Sequence, residues 1–159
     1  MNETRAEHIA TLRDTPDRLT RLTTGLPDSA LDHRSQPDDW TIREILAHLV
    51  DDEMFVMRTR LERIVKEDHP ALAPHDEKHW YATRNTSRDQ LAELLADFAT
   101  QRAASLSIIT FLTDDDWTRQ GFQPEYGHFS AEEWLGHWAA HDLTHIEQIQ
   151  RMRTATEQK

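Results

Sequence analysis

Two short stretches constrain this chain most, because each spells out the start of a helix in the same grammar. In Trp40-Thr41-Ile42-Arg43-Glu44-Ile45, the Thr41 hydroxyl can accept from the Glu44 backbone while the Glu44 carboxylate reaches back, and Trp40 can close over Ile45. Phe129-Ser130-Ala131-Glu132-Glu133-Trp134 repeats it: Ser130 caps, Glu133 answers, Phe129 meets Trp134. Ser87-Arg88-Asp89-Gln90 carries the box without the apolar staple. With apolar residues at helical spacing downstream, these starts predict long helices over about 41–67, 87–113 and 130–153. A fourth, over about 3–25, follows from Ile9, Leu12, Leu19 and Leu22; Pro16 is expected to kink it or restart it behind Thr15, and Leu26-Pro27-Asp28 to end it.

The segments 69–86, with Pro70, Pro74 and Asn85, and 114–129, with Gly121, Pro124 and Gly127, read as two long loops. No internal repeat and no alternation of strands with helices is visible. The expected fold is all-α, a single domain of four bundled helices.

Composition narrows the function classes. Acidic residues outnumber basic ones 29 to 18, a formal charge of −11, with no Lys/Arg stripe to offset it. Phosphate backbones and anionic membranes are therefore not expected partners. There is no cysteine, which excludes disulfides and thiolate metal sites. No run approaches the roughly 18–20 apolar residues of a membrane span, and the mixed-charge start does not resemble a signal peptide. A cytoplasmic protein acting on a small molecule is the expectation.

Three of the ten histidines stand apart. Trp134, Trp138, Ile149 and Met152 mark the buried stripe of the last helix, and His141 and His145 fall on or beside it, one turn apart. Two imidazoles at i, i+4 on an apolar face bring ring nitrogens within reach of one ion, as in helical zinc sites. His48 lies at the edge of the stripe of Ile45, Leu49 and Val56; its spacing fits a ligand or a hydrogen-bonded core histidine. His137 falls off its stripe and reads as a supporting or surface group. His8, His33, His69, His75, His79 and His128 read as solvent-facing.

The segment Trp40-Thr41-Ile42-Arg43-Glu44-Ile45-Leu46-Ala47-His48-Leu49, followed by Asp51 and Glu53, resembles the second helix of the DinB/YfiT-like superfamily. His141-Asp142-Leu143-Thr144-His145-Ile146-Glu147-Gln148-Ile149 resembles its last helix, and Thr15-Pro16 and Leu26-Pro27 fit the same pattern. The resemblance implies an up-down-down-up bundle, in which His48, His141 and His145 bind one divalent metal ion, nickel or zinc. It also implies a homodimer. Relatives of known activity transfer low-molecular-weight thiols such as bacillithiol or use mycothiol in an isomerisation.

Three imidazoles leave an ion with open positions, so the expected chemistry is metal activation of a thiol, or of water, for attack on an electrophile. Asp52, one turn after His48 and on the buried side, is the candidate catalytic residue, to orient a ligand or accept a proton. Asp142 and Gln148 are candidates to support the ligands. Trp80, Tyr81, Trp117 and Phe122 could wall a pocket or cap the bundle. Arg58 and Arg60 could dock an anionic thiol but read more naturally as surface charges. His141-Asp142-Leu143-Thr144-His145 has zincin spacing, but Asp142 is too short for the usual Glu role. The one Glu-x-x-His match, Glu125 to His128, lies in a glycine loop and argues against a di-iron bundle. The alternative to an enzyme is a non-catalytic metal-binding stress or structural module.

Overall fold

A computed structural model describes residues 3–157. In chain order they form α1 (Glu3–Thr23), α2 (Asp28–Leu31), α3 (Ile42–Asp52), a π-helical turn (Glu53–Arg58), α4 (Thr59–Lys66), α5 (Glu77–Ala82) and a 3₁₀ turn (Thr86–Arg88). There follow α6 (Leu91–Thr110), α7 (Asp114–Thr118), the strands β1 (Gln120–Gln123) and β2 (Gly127–Ser130), and α8 (Ala131–Glu157). The rods α1, α3–α4, α6 and α8 are the four expected helices.

Both stapled starts form. Thr41 N donates to Glu44 Oε2 at 2.8 Å, and Glu44 N to Thr41 Oγ1 at 3.2 Å. Ser130 N donates to Glu133 Oε2 at 2.7 Å, Glu133 N to Ser130 Oγ at 3.1 Å, and the Phe129 and Trp134 rings pack 5.3 Å apart. The third box does not form. Ser87 bonds Asn85 instead, Asp89 is buried in an ion pair with Arg84, and Arg43 holds the Asp89 carbonyl at 2.8 Å. These contacts keep 86–88 in a 3₁₀ turn, so α6 starts at Leu91 rather than near 87.

Contacts between rods fix their directions. Arg5 meets Glu132, and Thr15 meets Asp142, so α1 and α8 run parallel. Arg43 reaches Asp89 and Arg58 reaches Gln101, so the second rod and α6 are parallel too. His48 faces His141 while Met57 faces Trp134, which makes the second rod antiparallel to α8. The bundle is therefore up-down-down-up, with α1 packed on α6 and α8 rather than on its sequence neighbour α3.

The core falls into two apolar clusters. One holds Leu12, Val56, Met57, Ile109, Trp134 and Trp138; the other holds Leu19, Ile45, Leu49, Phe98, Ile146 and Ile149. Between the two clusters each rod contributes one buried polar residue to a shared network: Thr15, Glu53, Arg102 and Asp142. Arg102, 1% exposed, gives two hydrogen bonds to Glu53, two to Asp142 and one to the Leu12 carbonyl, at 2.6–3.1 Å. That uses all five guanidinium N–H groups. Trp138 Nε1 and Thr15 Oγ1 complete the carboxylates.

Of the two outcomes expected at Pro16, a kink or a restart, the second does not occur: the helix is not restarted. A proline inside a helix deletes the donor to the carbonyl four residues back. Here that carbonyl is Leu12, and Arg102 Nη1 occupies it at 2.7 Å. α1 accordingly runs through Pro16 without a break.

The π-helical turn adds a residue to the second rod, with Thr59 Oγ1 donating five residues back to Met54 O. Asp51, Asp52 and Glu53 are all buried, each in a different set of contacts: Asp51 with Trp80 and Arg84, Asp52 with histidines, Glu53 with Arg102.

The two long connectors expected from the sequence carry short elements of their own. The first contains α5 and the 3₁₀ turn, the second α7 and an antiparallel hairpin pairing Gln120 with Ser130, a small departure from an all-α chain. They also join each other: Leu72 N donates to Phe122 O at 2.7 Å, and Phe122 N to Pro70 O at 2.9 Å. Gly121 permits this, since a Cβ there would sit 3.0 Å from Ile64 Cγ1.

Candidate metal centre

Antiparallel crossing of α3 and α8 brings His48, His141 and His145 together. Each offers a ring nitrogen within 4.8 Å of the others, and His48 Nε2 lies 3.2 Å from His141 Nε2. The rings of His48 and His145 are 4.8 Å apart, those of His141 and His145 4.6 Å. Trp40, the staple residue, stands edge-on against His48 at 5.0 Å. Gln148 Oε1 accepts from His145 Nδ1 at 3.1 Å, which leaves Nε2 free for a ligand.

Burial sets the protonation of this cluster. It pushes His48 down to about 3, with His145 and His75 adding to the effect. Burial also holds His141 well below the ordinary range and lowers His145. All three imidazoles are therefore neutral near pH 7, with lone pairs available. Two nitrogens bound to one tetrahedral ion at about 2.0–2.1 Å stand roughly 3.3–3.4 Å apart. The His48–His141 separation fits that spacing, and a donor set of imidazoles suits first-row divalent ions in general, zinc, copper, iron and nickel among them.

Asp52, 3% exposed, completes the cluster. Its Oδ2 is 3.5 Å from both His48 Nε2 and His141 Nε2, and its Oδ1 is 3.2 Å from His75 Nε2. Burial, reinforced by Glu77 and Asp51, pushes its carboxyl up to about 8. A cavity of about 50 Å³, room for little more than ordered water, adjoins Asp52, His75, His137 and His141.

Several side chains lie elsewhere than expected. His75 is at the cluster, not in solvent. Trp80 Nε1 and Arg84 both bind Asp51, at 2.9 and 2.8 Å, and this pins α5 to α3 with His75 just ahead of it. The readable sign of that short helix was Asp76, whose carboxylate caps it through His79 N. Arg60 is buried beside the cavity, not a surface charge: its Nη2 donates to Ala73 O at 2.7 Å and its guanidinium lies 5.2 Å over Trp134. Arg58 is tied to Gln101. Asp142 does not support the histidines, because Arg102 and Thr15 hold it in the core network.

The remaining aromatic and histidine residues divide clearly. Trp80 lies by His75 and Phe55, and Tyr81 beside Trp40, so both flank the site. Trp117 is core, under Arg5, and Phe122 pairs with His128. His137 is exposed and stacks on Trp134. His8 and His33 are half-buried rather than solvent-facing, His8 because it packs on Gly136.

The sequence pattern of the DinB superfamily matches residues 11–149. "Putative metal-dependent hydrolase YfiT" of Bacillus subtilis is 26% identical over 148 residues, 92% of this chain and 83% of that protein. A relative of the same description, OB0782 of Oceanobacillus iheyensis, is 28% identical over 144 residues, 90% of this chain and 82% of that one. The solved structure of YfiT, described as an unusual four-helix bundle, superposes with a TM-score of 0.88 at 25% identity, covering 99% of this chain and 90% of its own.

Proposed function

Because the chain belongs to the DinB superfamily, we propose that it is a metal-dependent hydrolase of small molecules, with His48, His141 and His145 as ligands to one nickel or zinc ion. The observation that carries this is the buried Asp52 carboxylate, 3.5 Å from two of the three clustered imidazole nitrogens. Such an ion, on three imidazoles, supplies Lewis acidity toward water and a substrate carbonyl or phosphoryl oxygen. The chain supplies the rest. Neutral imidazoles present their lone pairs, Gln148 holds the His145 ring in place, and Trp40 screens His48 from water. Asp52 Oδ1 takes the proton from the attacking water, and positive charge nearby would lower its pKa into the range where it can.

The test uses protein stripped by a chelator and reloaded with Zn²⁺ or Ni²⁺, assayed on a panel of ester, amide and lactone substrates. Turnover is expected only with the ion. Asp52→Asn should keep the ion and lose about 10²–10⁴-fold in kcat, while His141→Ala should lose the ion itself. Ion-independent turnover, or full activity in Asp52→Asn, overturns the assignment.

A second reading, transfer of a low-molecular-weight thiol to an electrophile, draws on Arg60. This buried cation adjoins the cavity, and among the described residues no carboxylate pairs with it, so it could receive the carboxylate of such a thiol. Ion-dependent turnover with bacillithiol, mycothiol, glutathione or coenzyme A, and none with water, selects that reading. No turnover with either, in protein that retains its ion, selects a non-catalytic metal-binding module. The family resemblance also leads us to propose a homodimer; a monomeric mass by light scattering overturns it.

A further inference from the structure

Next to the candidate centre the surface opens into an aromatic cleft. Four rings line it: Tyr126 from the tip of the β-hairpin, Phe129 from β2, and Trp134 and His137 from α8. Neighbouring rings lie 4.9–6.4 Å apart between centroids, the range of aromatic pairing. The position of Tyr126 is built. Gln123, fully buried, accepts on Oε1 from Glu125 N at 2.6 Å and from Tyr126 N at 2.9 Å, and so holds the turn that sets the ring against His137. Tyr126 is nevertheless 53% exposed, so a ligand ring laid against it would take apolar surface out of water.

Size and place suit a substrate group. The cleft holds about 150 Å³, the size of an engineered apolar cavity that takes up one benzene molecule. Tyr126, Trp134 and His137 also wall the cavity of about 50 Å³ that reaches His141 and Asp52. His137 stands one turn before His141 on α8, roughly 6 Å along the helix axis. A ring in the cleft therefore carries a short substituent into the cavity beside the three imidazoles. Charge narrows the occupant further. Arg60 already stands 5.2 Å over the Trp134 ring, so an organic cation would meet a like charge there rather than a free aromatic face. Glu133 lines the cleft and Glu125 adjoins Tyr126, so an anionic ring would be repelled.

We propose that this cleft binds an uncharged six-membered aromatic ring of the substrate, and so presents an ester or amide joined to that ring to the three-histidine centre. The chemistry rests on the hydrolase reading. The binding does not, because none of the three histidines lines the cleft.

The experiment is protein-observed NMR on the full chain, first metal-free and then loaded with Zn²⁺, titrated with benzyl alcohol. Resonances of Tyr126, Trp134 and His137 are expected to shift in both forms, with Overhauser contacts from the probe to the Tyr126 and Trp134 rings. Tyr126→Ala should weaken binding about 3–10-fold, the loss of one aromatic contact, and Tyr126→Phe should retain it; circular dichroism checks that both variants fold. In Zn²⁺-loaded Tyr126→Ala the preference for benzyl acetate over ethyl acetate should fall by the same factor. No probe contact to either ring in wild type overturns the proposal, whatever the variants do. Benzoate or benzylammonium binding more tightly than benzyl alcohol also overturns it, since the occupant is then charged. Binding in the cleft without ion-dependent turnover leaves the subsite standing and sinks the hydrolase reading; ion-dependent turnover without binding in the cleft does the reverse.

Discussion

A histidine held neutral by burial is a ligand without a proton to displace, and that has a cost in stability which pH reveals. His48 takes up a proton near pH 6.5 in the unfolded chain but only near about 3 in the folded one. Between those values the unfolded state binds more protons, so folding stability falls as pH is lowered through the window. Asp52 acts in the opposite sense: its folded value of about 8 lies above the unfolded one near 3.9, so its proton favours the folded state at low pH and that contribution is lost as pH rises toward 8. Burial lowers His141 and His145 as well, so three imidazoles outweigh the one carboxyl: the chelated protein should lose stability on acidification below about pH 6.5, and His48→Gln should make that limb shallower. Asp52→Asn should remove the decline between about pH 4 and 8. Urea midpoints across pH check both, and profiles unchanged by either substitution would sink the assignment. The same residues show what local sequence carries. His141 and His145 were legible because a four-residue spacing on an apolar stripe is a local pattern. His75 was not, because its partner Asp52 is 23 positions away and the two meet only through Trp80 and Arg84 on Asp51.

At the level of elements the division between local and distant information is again the deciding factor. The starts of α3 and α8 were readable since cap and staple span six residues each. The continuity of α1 through Pro16 was not, since the donor that replaces the missing N–H comes from Arg102, 90 positions after Leu12. The chain pattern around Ser87 matched a capping box, yet Asp89 is drawn into a buried pair with Arg84 and the helix starts later. Arg102 also accounts for the division of the core, because its two carboxylates and one carbonyl come from three other rods. Arg102→Met should cost about 3–5 kcal/mol, leaving Glu53 and Asp142 as uncompensated buried charges. Pro16→Ala restores a donor to the Leu12 carbonyl, so in the Arg102→Met background it should recover about 1 kcal/mol beyond its effect in wild type. A double-mutant cycle from urea unfolding measures that coupling. A value near zero would mean that Arg102 does not stand in for the proline's missing donor.

Across the whole molecule, the candidate centre sits where the two parallel pairs of rods meet, with His48 from one pair and His141 and His145 from the other. Bound metal would therefore tie the halves together, but it is not what makes them fold. Both apolar clusters and the Arg102 network are complete within the protein's own atoms, unlike a zinc finger, where the ion replaces a core. Removing the ion should accordingly leave the helical far-UV signal unchanged while lowering the melting temperature. Free metal at 100 times its dissociation constant stabilises the folded state by about 2.7 kcal/mol. For a domain of this size that corresponds to roughly 5–10 °C. The loss should be local as well as modest: amide exchange should quicken around His48 and in α5, which depends on α3 for its position, and stay slow around Leu12, Arg102 and Trp138. Chelation that abolishes the helical signal makes the ion structural and removes the case for an open, reactive centre. Chelation that moves neither the melting temperature nor the exchange near His48 means that the three imidazoles hold no ion there.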